Sequence, residues 1–441
     1  MTPATAVGLS MFGAMLALMA LRVPIAAAMF IPGALGYLAI TDAGSLFNLL
    51  KGSAVARLTV YELSVIPLFL LMGQFATQGG LSRDLFRAAA ALVGHIRGGL
   101  AMAAILSAAA FGAVCGSSVA TSATITQVAY PEMKAHGYHG RLSTATLATG
   151  GTLGILIPPS VPLVVYAILT EQNIAKLFAA AMVPGLLATA GYLAVVALYC
   201  RARPEFARPS VPVPWGARLR ALAAIWPIVG IFVVVFGGIY GGLFSPTEGA
   251  AIGALLTFCV GLARGELGGA GLARALVATA ETSAMVFMIF LGADMMNASL
   301  ALTEMPARIA DWVTQLPVPP LAVVTAVLLL YVVLGCVMDE LSMLLLTIPV
   351  IFPAVMALDL WGLPPDLKAI WFGILVLVTV GIGLIAPPVG LNVYVVNNLA
   401  REVPMAETYK GVFPFLAWDV LRVTLLLFFP AVTLWLVGVF F

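Results

Sequence analysis

Two stretches carry residue types suited to chemistry: Gly112 to Thr126, reading GAVCGSSVATSATIT, and GGTLGILIPPS from Gly150 to Ser160. Both set small residues, hydroxyls or a Pro-Pro step inside otherwise lipid-grade sequence. A continuous helix satisfies its own backbone, so a break at membrane depth is tolerated only where protein or a water-filled cavity takes over the freed N–H and C=O groups. Hydroxyl and carbonyl oxygens are hard donors suited to Na+, while exposed N–H groups at a helix start suit a carboxylate. The predicted chemistry is non-covalent capture of a small cation and an anion. Isolated Ser and Thr in membrane helices usually pack between helices or bond back to their own carbonyls. The clustering of hydroxyls beside Gly116, answered by a second Gly-rich break at Gly150, weighs against that blander reading.

Asp339 and Glu340 follow an apolar run from Leu321, with no Lys or Arg between Arg308 and Lys368 to pair with them. An ionisable group inside the bilayer is a functional hypothesis by default, and at a helix end in water it is ordinary. Asp294, Glu281 and Glu248 raise the same question at lower weight, since each also fits a helix cap or a structural partner. Asn392, four residues after Pro388, fits a polar contact and a capping role equally. His95, His136 and His139 sit in loop-like segments without further ligands nearby, and the four cysteines show no CxxC spacing, so no metal centre or disulfide is expected. The Gly-rich stretches lack GxxxxGK[ST] and the dinucleotide fingerprint. Neither an enzyme nor a nucleotide-driven pump is expected, and no cofactor beyond Na+ as a coupling ion.

The elements that must position these residues are membrane helices. The 441 residues are 62% hydrophobic and 9% charged, with mean hydropathy +1.10, against roughly 45–50% apolar and about 25% charged for a soluble domain. The lipid bilayer is the solvent, and about twelve to fourteen membrane segments fit the length. Net charge is +2 with basic residues in short loops, which excludes a nucleic-acid partner. The N-terminal run lacks a basic start and is read as a retained first helix. Apolar runs from Val7 to Leu21 and Pro24 to Ile40 are followed by an expected polar loop carrying Asp42, Lys51 and Arg57, then a span from Leu63 to Gln78. Leu81 to Gly99 puts charge on one helical face and apolar groups on the other, so it is expected along the membrane surface. Leu100 to Cys115 and Ser118 to Tyr130 are each short for a crossing and are divided by Gly116-Ser117, which predicts a re-entrant hairpin.

Residues 201–220, with five Arg against one Glu and several Pro, read as a stiff cytoplasmic linker between a first unit, 1–200, and a second, 221–441. The two units echo one another. PIAAAMFIPGAL from Pro24 matches PTEGAAIGALL from Pro246, MGQFATQGGL from Met72 matches LGADMMNASL from Leu291, and Pro158 matches Pro387, at offsets of 222, 219 and 229. Paired broken segments in corresponding positions of two halves point to a transporter binding site.

With these residues in view the chain resembles the large membrane subunit of TRAP (tripartite ATP-independent periplasmic) transporters. GSSVATSATI at Gly116, GGTLGILIPPSVPL at Gly150, LFAAAMVPGLL at Leu177, PTE at Pro246 and GLIAPPVGLN at Gly383 occur in that family's order across nearly the full length. The resemblance implies an all-α polytopic protein of the bacterial inner membrane, with two inverted-topology repeats that each lend a hairpin to a mobile transport domain held by a scaffold. It implies Na+-coupled import of a small organic acid by an elevator mechanism, with a small four-helix membrane subunit and a periplasmic solute-binding protein as separate chains. Carried over residue by residue, the first site comprises Gly116, Ser117, Ser118 and Thr121 facing Gly151, Thr152, Gly154, Pro158 and Pro159. The second comprises Asp339 with Gly383, Pro387, Pro388 and Asn392, and Na+ is expected near Ser117, Ser118, Gly151, Asp339 and Gly383. The chain departs from the family pattern at Cys115, Glu340, Thr379, Gly381 and Ala386, with Glu340 standing where a small residue often follows the Asp. A stand-alone anion symporter needing no binding protein is the alternative.

Overall fold

The computed structural model describes residues 3–441, with side chains from residue 5. Among the described residues every regular element is a helix. α1 (Pro3–Ala20) and α2 (Ile25–Ile40) are joined through Arg22, which adopts a left-handed backbone. α3 (Ala43–Leu58) then corrects the loop expected around Lys51 and Arg57. Asp42 caps it by accepting from Ser45 N at 3.1 Å, and Arg57 near its end pairs with a distant carboxylate, so charge that reads as a loop in sequence closes a helix. A short 3-10 turn, Tyr61–Ser64, leads into α4 (Val65–Gln78), bent 55° from α3. α5 (Leu81–Val93) is amphipathic as expected, burying Leu81, Leu85 and Phe86 while Arg83 and Arg87 stay exposed.

The first hairpin is α6 (Gly99–Cys115) and α7 (Ser118–Ala135). The segment after it is broken three ways, into α8 (Gly140–Gly151), α9 (Leu153–Leu156) and, beyond the prolines, α10 (Val161–Thr170). α11 (Ile174–Ala202) follows, 29 residues long. The Pro-rich linker is shorter than the composition suggests, because a helix, α12 (Trp215–Ala224), begins inside it directly after Pro214. Pro is well placed just before a helix, where its fixed φ and missing N–H cost nothing. The extended stretch ahead of α12 is held to the body by Ser210 N donating to Gly94 O at 3.0 Å.

α13 (Trp226–Tyr240), α14 (Pro246–Ala263) and α15 (Gly269–Leu302) come next. At 34 residues α15 is roughly 50 Å long, more than the roughly 30 Å hydrocarbon core, so it must tilt or protrude. α16 (Met305–Gln315) leads to a second pair of short helices, α17 (Pro320–Gly335) and α18 (Glu340–Met356). Then come α19 (Pro365–Gly383), a non-helical stretch, and α20 (Leu391–Leu399), before α21 (Met405–Phe428) and α22 (Pro430–Phe440). The single final span expected from Val412 to Phe441 is thus two helices, broken where Pro430 cannot donate to the preceding turn.

Two features fix the frame. α2 crosses α15 at backbone contact: a Cβ on Gly33 would lie 2.8 Å from Met296 N, and one on Gly292 would lie 2.5 Å from Ala26 O. Such small-residue crossings let membrane helices gain dispersion contacts where lipid offers no hydrophobic drive. Arg57 on α3 forks onto Asp294 on α15, with Nε donating to Oδ2 at 2.6 Å. Asp294 therefore serves structure. So does Glu248, whose carboxylate and Ser245 form a reciprocal capping box at the start of α14. Around this frame the hairpins cross over, with α20 packing on α7 and α8, and α10 packing on α18. At one surface Arg141 donates to Glu407 at 2.6 Å, and Lys134 Nζ meets Glu402 Oε1 at 2.5 Å. The Lys134 contact, the chain's own N–H at 402 and the Tyr130 hydroxyl hold the Glu402 carboxyl down at about 2.

Candidate ion and solute site

The tip of the first hairpin is built from main chain. α6 ends at Gly116, whose φ of 67° suits glycine and whose N–H donates to Gly112 O at 2.9 Å. A Cβ there would come within 2.9 Å of Pro159 O, so the position needs glycine for space as well as for conformation. Gly116 O in turn accepts from Val161 N at 3.3 Å, fastening the tip to the far side of the Pro158-Pro159 step, which is cis. Ser160 stabilises that step, donating its hydroxyl to Ile155 O at 2.6 Å and capping α10.

The second tip repeats the construction. Cys336 O accepts from Gly390 N at 3.1 Å, across the cis Pro387-Pro388 step, and the Cys336 thiol points to Pro387 O at 3.3 Å. Each tip is also backed by a glycine pair. A Cβ on Gly112 would lie 2.7 Å from Gly154 Cα, and one on Gly383 would lie 2.6 Å from Gly335 Cα.

Gly116, Ser117, Ser118, Thr121, Gly151, Gly154, Pro158 and Pro159 are thereby brought together. A Cβ on Gly154 would strike Thr121 Oγ1 at 2.5 Å and Ser117 O at 2.6 Å, and one on Gly151 would strike Ser122 Oγ at 1.7 Å. Thr121 Oγ1, Ser122 Oγ, Thr146 Oγ1 and Thr149 Oγ1 are buried without a hydrogen-bond partner among the described residues. Orphaned buried hydroxyls are costly, and Thr121 and Ser122 facing the break at Gly151 and Gly154 are donors suited to a small hard cation. Ser122, Thr146 and Thr149 were not singled out from the sequence, although Ser122 belongs to the same hydroxyl run. Thr152 points the other way. Its hydroxyl donates to Thr149 O at 2.8 Å and lies 3.2 Å from the Tyr192 hydroxyl, which itself donates to Asp419 at 2.9 Å. Asp419 pairs with Arg422 at 2.8 Å, both buried. An Asp and an Arg three residues apart in an apolar helix was the available sequence signal for that network.

The second set divides. Asp339 is the N-cap of α18: Oδ2 accepts from Ser342 N at 3.1 Å and Oδ1 from the Ser342 hydroxyl. Asp339 is half-buried, and the fully buried carboxylate is its neighbour Glu340, 5% exposed, with Oε2 unpartnered among the described residues. Glu340 stands beside Ser117 and Ser118 of the opposite hairpin. Asn392 also leaves its own half, with Nδ2 donating to Ser118 Oγ at 2.6 Å and to Ala148 O at 3.2 Å, and its Oδ1 is unpartnered. Gly383, Pro387 and Pro388 stay with the second tip. A cavity of about 1060 Å³ opens between both tips and the frame, walled by Ser117, Asp339, Glu340 and Leu391 on one side and by α2 and α15 residues such as Ile25 and Ile289 on the other. The arrangement can hold a cation against buried oxygens and admit an organic solute at the meeting point of two helix N-termini.

Residues 12–432 match the family described as "Tripartite ATP-independent periplasmic transporter, DctM component". The chain belongs to that family. Among curated DctM relatives, the C4-dicarboxylate TRAP transporter large permease protein of Pseudomonas aeruginosa is 36% identical over 376 residues, covering 85% of this chain and 86% of that one. The isethionate TRAP transporter permease protein DctMQ of Oleidesulfovibrio alaskensis is 30% identical across 97% of this chain but only 66% of its own length. Among solved structures, the YdaH transporter of Alcanivorax borkumensis superposes with a TM-score of 0.63 at 17% identity, covering 88% of this chain and 89% of that one, a likeness of fold alone. This chain is accordingly a multi-pass membrane permease component of a TRAP transporter, the family that its motifs resemble.

Proposed function

We propose that this chain is the large transmembrane subunit of a Na+-coupled, binding-protein-dependent importer of a small organic acid in the bacterial inner membrane, working by an elevator motion. The observation that supports this best is the pair of tip joints. Each hairpin is fastened to a Pro-Pro break by a main-chain hydrogen bond, and both tips open on one cavity beside orphaned buried oxygens. The succession of short helix, tip, short helix, broken segment and long helix occurs from α6 to α11 and again from α17 to α21, as two inverted-topology repeats require. Hairpins and breaks form the mobile body on this reading, and α2, α4, α14 and α15 form the scaffold. The first repeat is 1–200, the second 221–441, and the basic segment between them is cytoplasmic.

Na+ sits near Ser117, Ser118 and Gly151 in the first site and near Asp339 and Gly383 in the second. A small four-helix membrane subunit and a periplasmic solute-binding protein complete the system. The DctMQ relative, of which this chain covers 66%, fits a system with a further membrane part. Relatives named for a C4-dicarboxylate and for isethionate are similar in sequence over 85% and 97% of this chain, so family membership by itself does not select the solute. A stand-alone symporter is not favoured, because the family is that of a tripartite system.

The test is uptake of labelled organic acids into liposomes holding this chain and its small membrane partner, under an inward Na+ gradient. Uptake is expected only when the binding protein is added outside. Robust uptake without it, or without Na+, rejects the reading.

A further inference from the structure

We propose that Glu340 recognises a positively charged group on the solute, so that the acid carried by this transporter is a zwitterion, with an ammonium or quaternary ammonium group besides its carboxylate. This rests on the reading of the central cavity as the solute's site. Glu340 is buried and lines the cavity, and its Oε2 has no hydrogen-bond partner among the described residues. Asp339 beside it is already engaged, both of its oxygens accepting from Ser342. Among the described residues walling the cavity, Arg22 is the one basic group, and it is exposed at the α1–α2 turn. The wall therefore carries two carboxylates against one solvated guanidinium. An unpaired carboxylate in an apolar surround must find a cation, take up a proton or pay heavily in lost solvation.

The surroundings say which kind of cation fits. Ser117 and Ser118 lie on one side of the carboxyl group. The rest of the wall is largely carbon, from Ile25, Met285, Ile289 and Leu391. A bare metal ion needs several oxygens around it, which the Ser117–Ser118 side supplies and the largely carbon wall across the cavity does not. An ammonium carried on a carbon skeleton needs one strong acceptor and apolar contacts for the rest, which is what this wall supplies. A plain dianion would bring a second negative charge against Glu340, and like charges juxtaposed at a site are a strong means of rejecting a ligand.

The experiment is thermal unfolding of the purified full chain in lipid nanodiscs, in NaCl, against matched acids. β-Alanine and succinate share a skeleton, as do 4-aminobutyrate and glutarate, and glycine betaine extends the cationic set. Zwitterions are expected to raise the unfolding temperature where the matched dianions do not. Glu340→Gln should weaken the zwitterion response at least tenfold in half-saturating concentration, and Glu340→Asp, which keeps the charge, should retain part of it. Dianions stabilising the wild type as well as or better than zwitterions, no response to any zwitterion, or a preference unchanged in Glu340→Gln would each overturn the proposal. Na+ coupling is read separately, as the shift on replacing choline by Na+ without solute. Loss of that shift with the zwitterion preference intact rejects Na+ coupling and leaves the assignment of Glu340 standing.

Discussion

Asn392, on the helix that follows the second Pro-Pro step, donates its side-chain amide to the Ser118 hydroxyl on the first hairpin at 2.6 Å. The bond is buried, and the same amide also holds Ala148 O. A residue of one half thus fixes the first oxygen-bearing turn of the other.

Replacing Asn392 by Ala should free Ser118 Oγ and Ala148 O at once, a loss of about 1–3 kcal/mol for buried groups left under-satisfied. The expected outcome is a lower unfolding temperature together with weakened Na+ binding, checked by thermal unfolding across a Na+ titration. Loss of stability with an unchanged Na+ response would restrict Asn392 to packing.

Gly116→Ala places a side chain at φ 67° and 2.9 Å from Pro159 O. A left-handed non-glycine residue costs about 1–2 kcal/mol before any clash. We expect insertion into the membrane with a disturbed tip and uptake reduced at least tenfold. Gly137→Ala is the control, since its φ of 72° is similar but a Cβ there meets nothing within 4 Å. Equal effects in the two variants would show that conformation alone, and not the tip joint, is responsible.

Ser117→Ala and Ser118→Ala each remove one oxygen, and Thr121→Val exchanges a hydroxyl for a methyl of similar size, so transport should suffer more than stability. Initial uptake rate against Na+ concentration, measured beside the unfolding temperature, separates the two. Three variants with normal uptake would make the first hairpin structural.

Asp339→Asn should fold, because Asn caps a helix about as well as Asp and can still accept from Ser342. Its uptake is expected to be lost or to need more Na+, because the proposed Na+ site would lose its charge. An unshifted Na+ curve would remove Asp339 from the ion site and leave it as a cap.

Glu402 gives a pH dependence outside the membrane. Its carboxyl is held down at about 2 by the Lys134 contact first, then by the N–H at 402 and Tyr130. Because the folded value lies below the unfolded one, about 4.3 for a free Glu, this contribution to stability is complete above that unfolded value. It is lost as pH falls from there through about 2. The wild type should therefore lose more unfolding temperature than Glu402→Gln between pH 5 and about 2.5. Parallel curves for the two proteins would show that the contact contributes nothing.

Much of this was legible in the sequence, for reasons that differ by residue. Gly116-Ser117 and the two Pro-Pro steps announced the breaks, because a helix cannot run through them and lipid forbids a loop. The partner of a polar residue was far less legible. Asn392 follows the second break in sequence and serves the first hairpin in space. Asp339 and Glu340 are adjacent in sequence, yet the first caps its own helix and the second faces the opposite one, since Asp339 keeps the extended backbone of an N-cap and Glu340 is the first helical residue. The segment with Asp42, Lys51 and Arg57 reads as a loop because the sequence displays its charges and not their partners. Arg57 finds Asp294 across 237 residues of sequence, and composition cannot foresee that.

Each tip joint is centred on a main-chain bond, Gly116 O with Val161 N and Cys336 O with Gly390 N, and the Cys336 thiol adds to the second. What holds each hairpin to its break is therefore indifferent to most side chains around it. Hydroxyls, carboxylates and apolar walls facing the cavity are free to drift in evolution while the hairpins stay joined to their breaks. A chain with this build can change its cargo through a handful of substitutions, without having to reinvent its machinery.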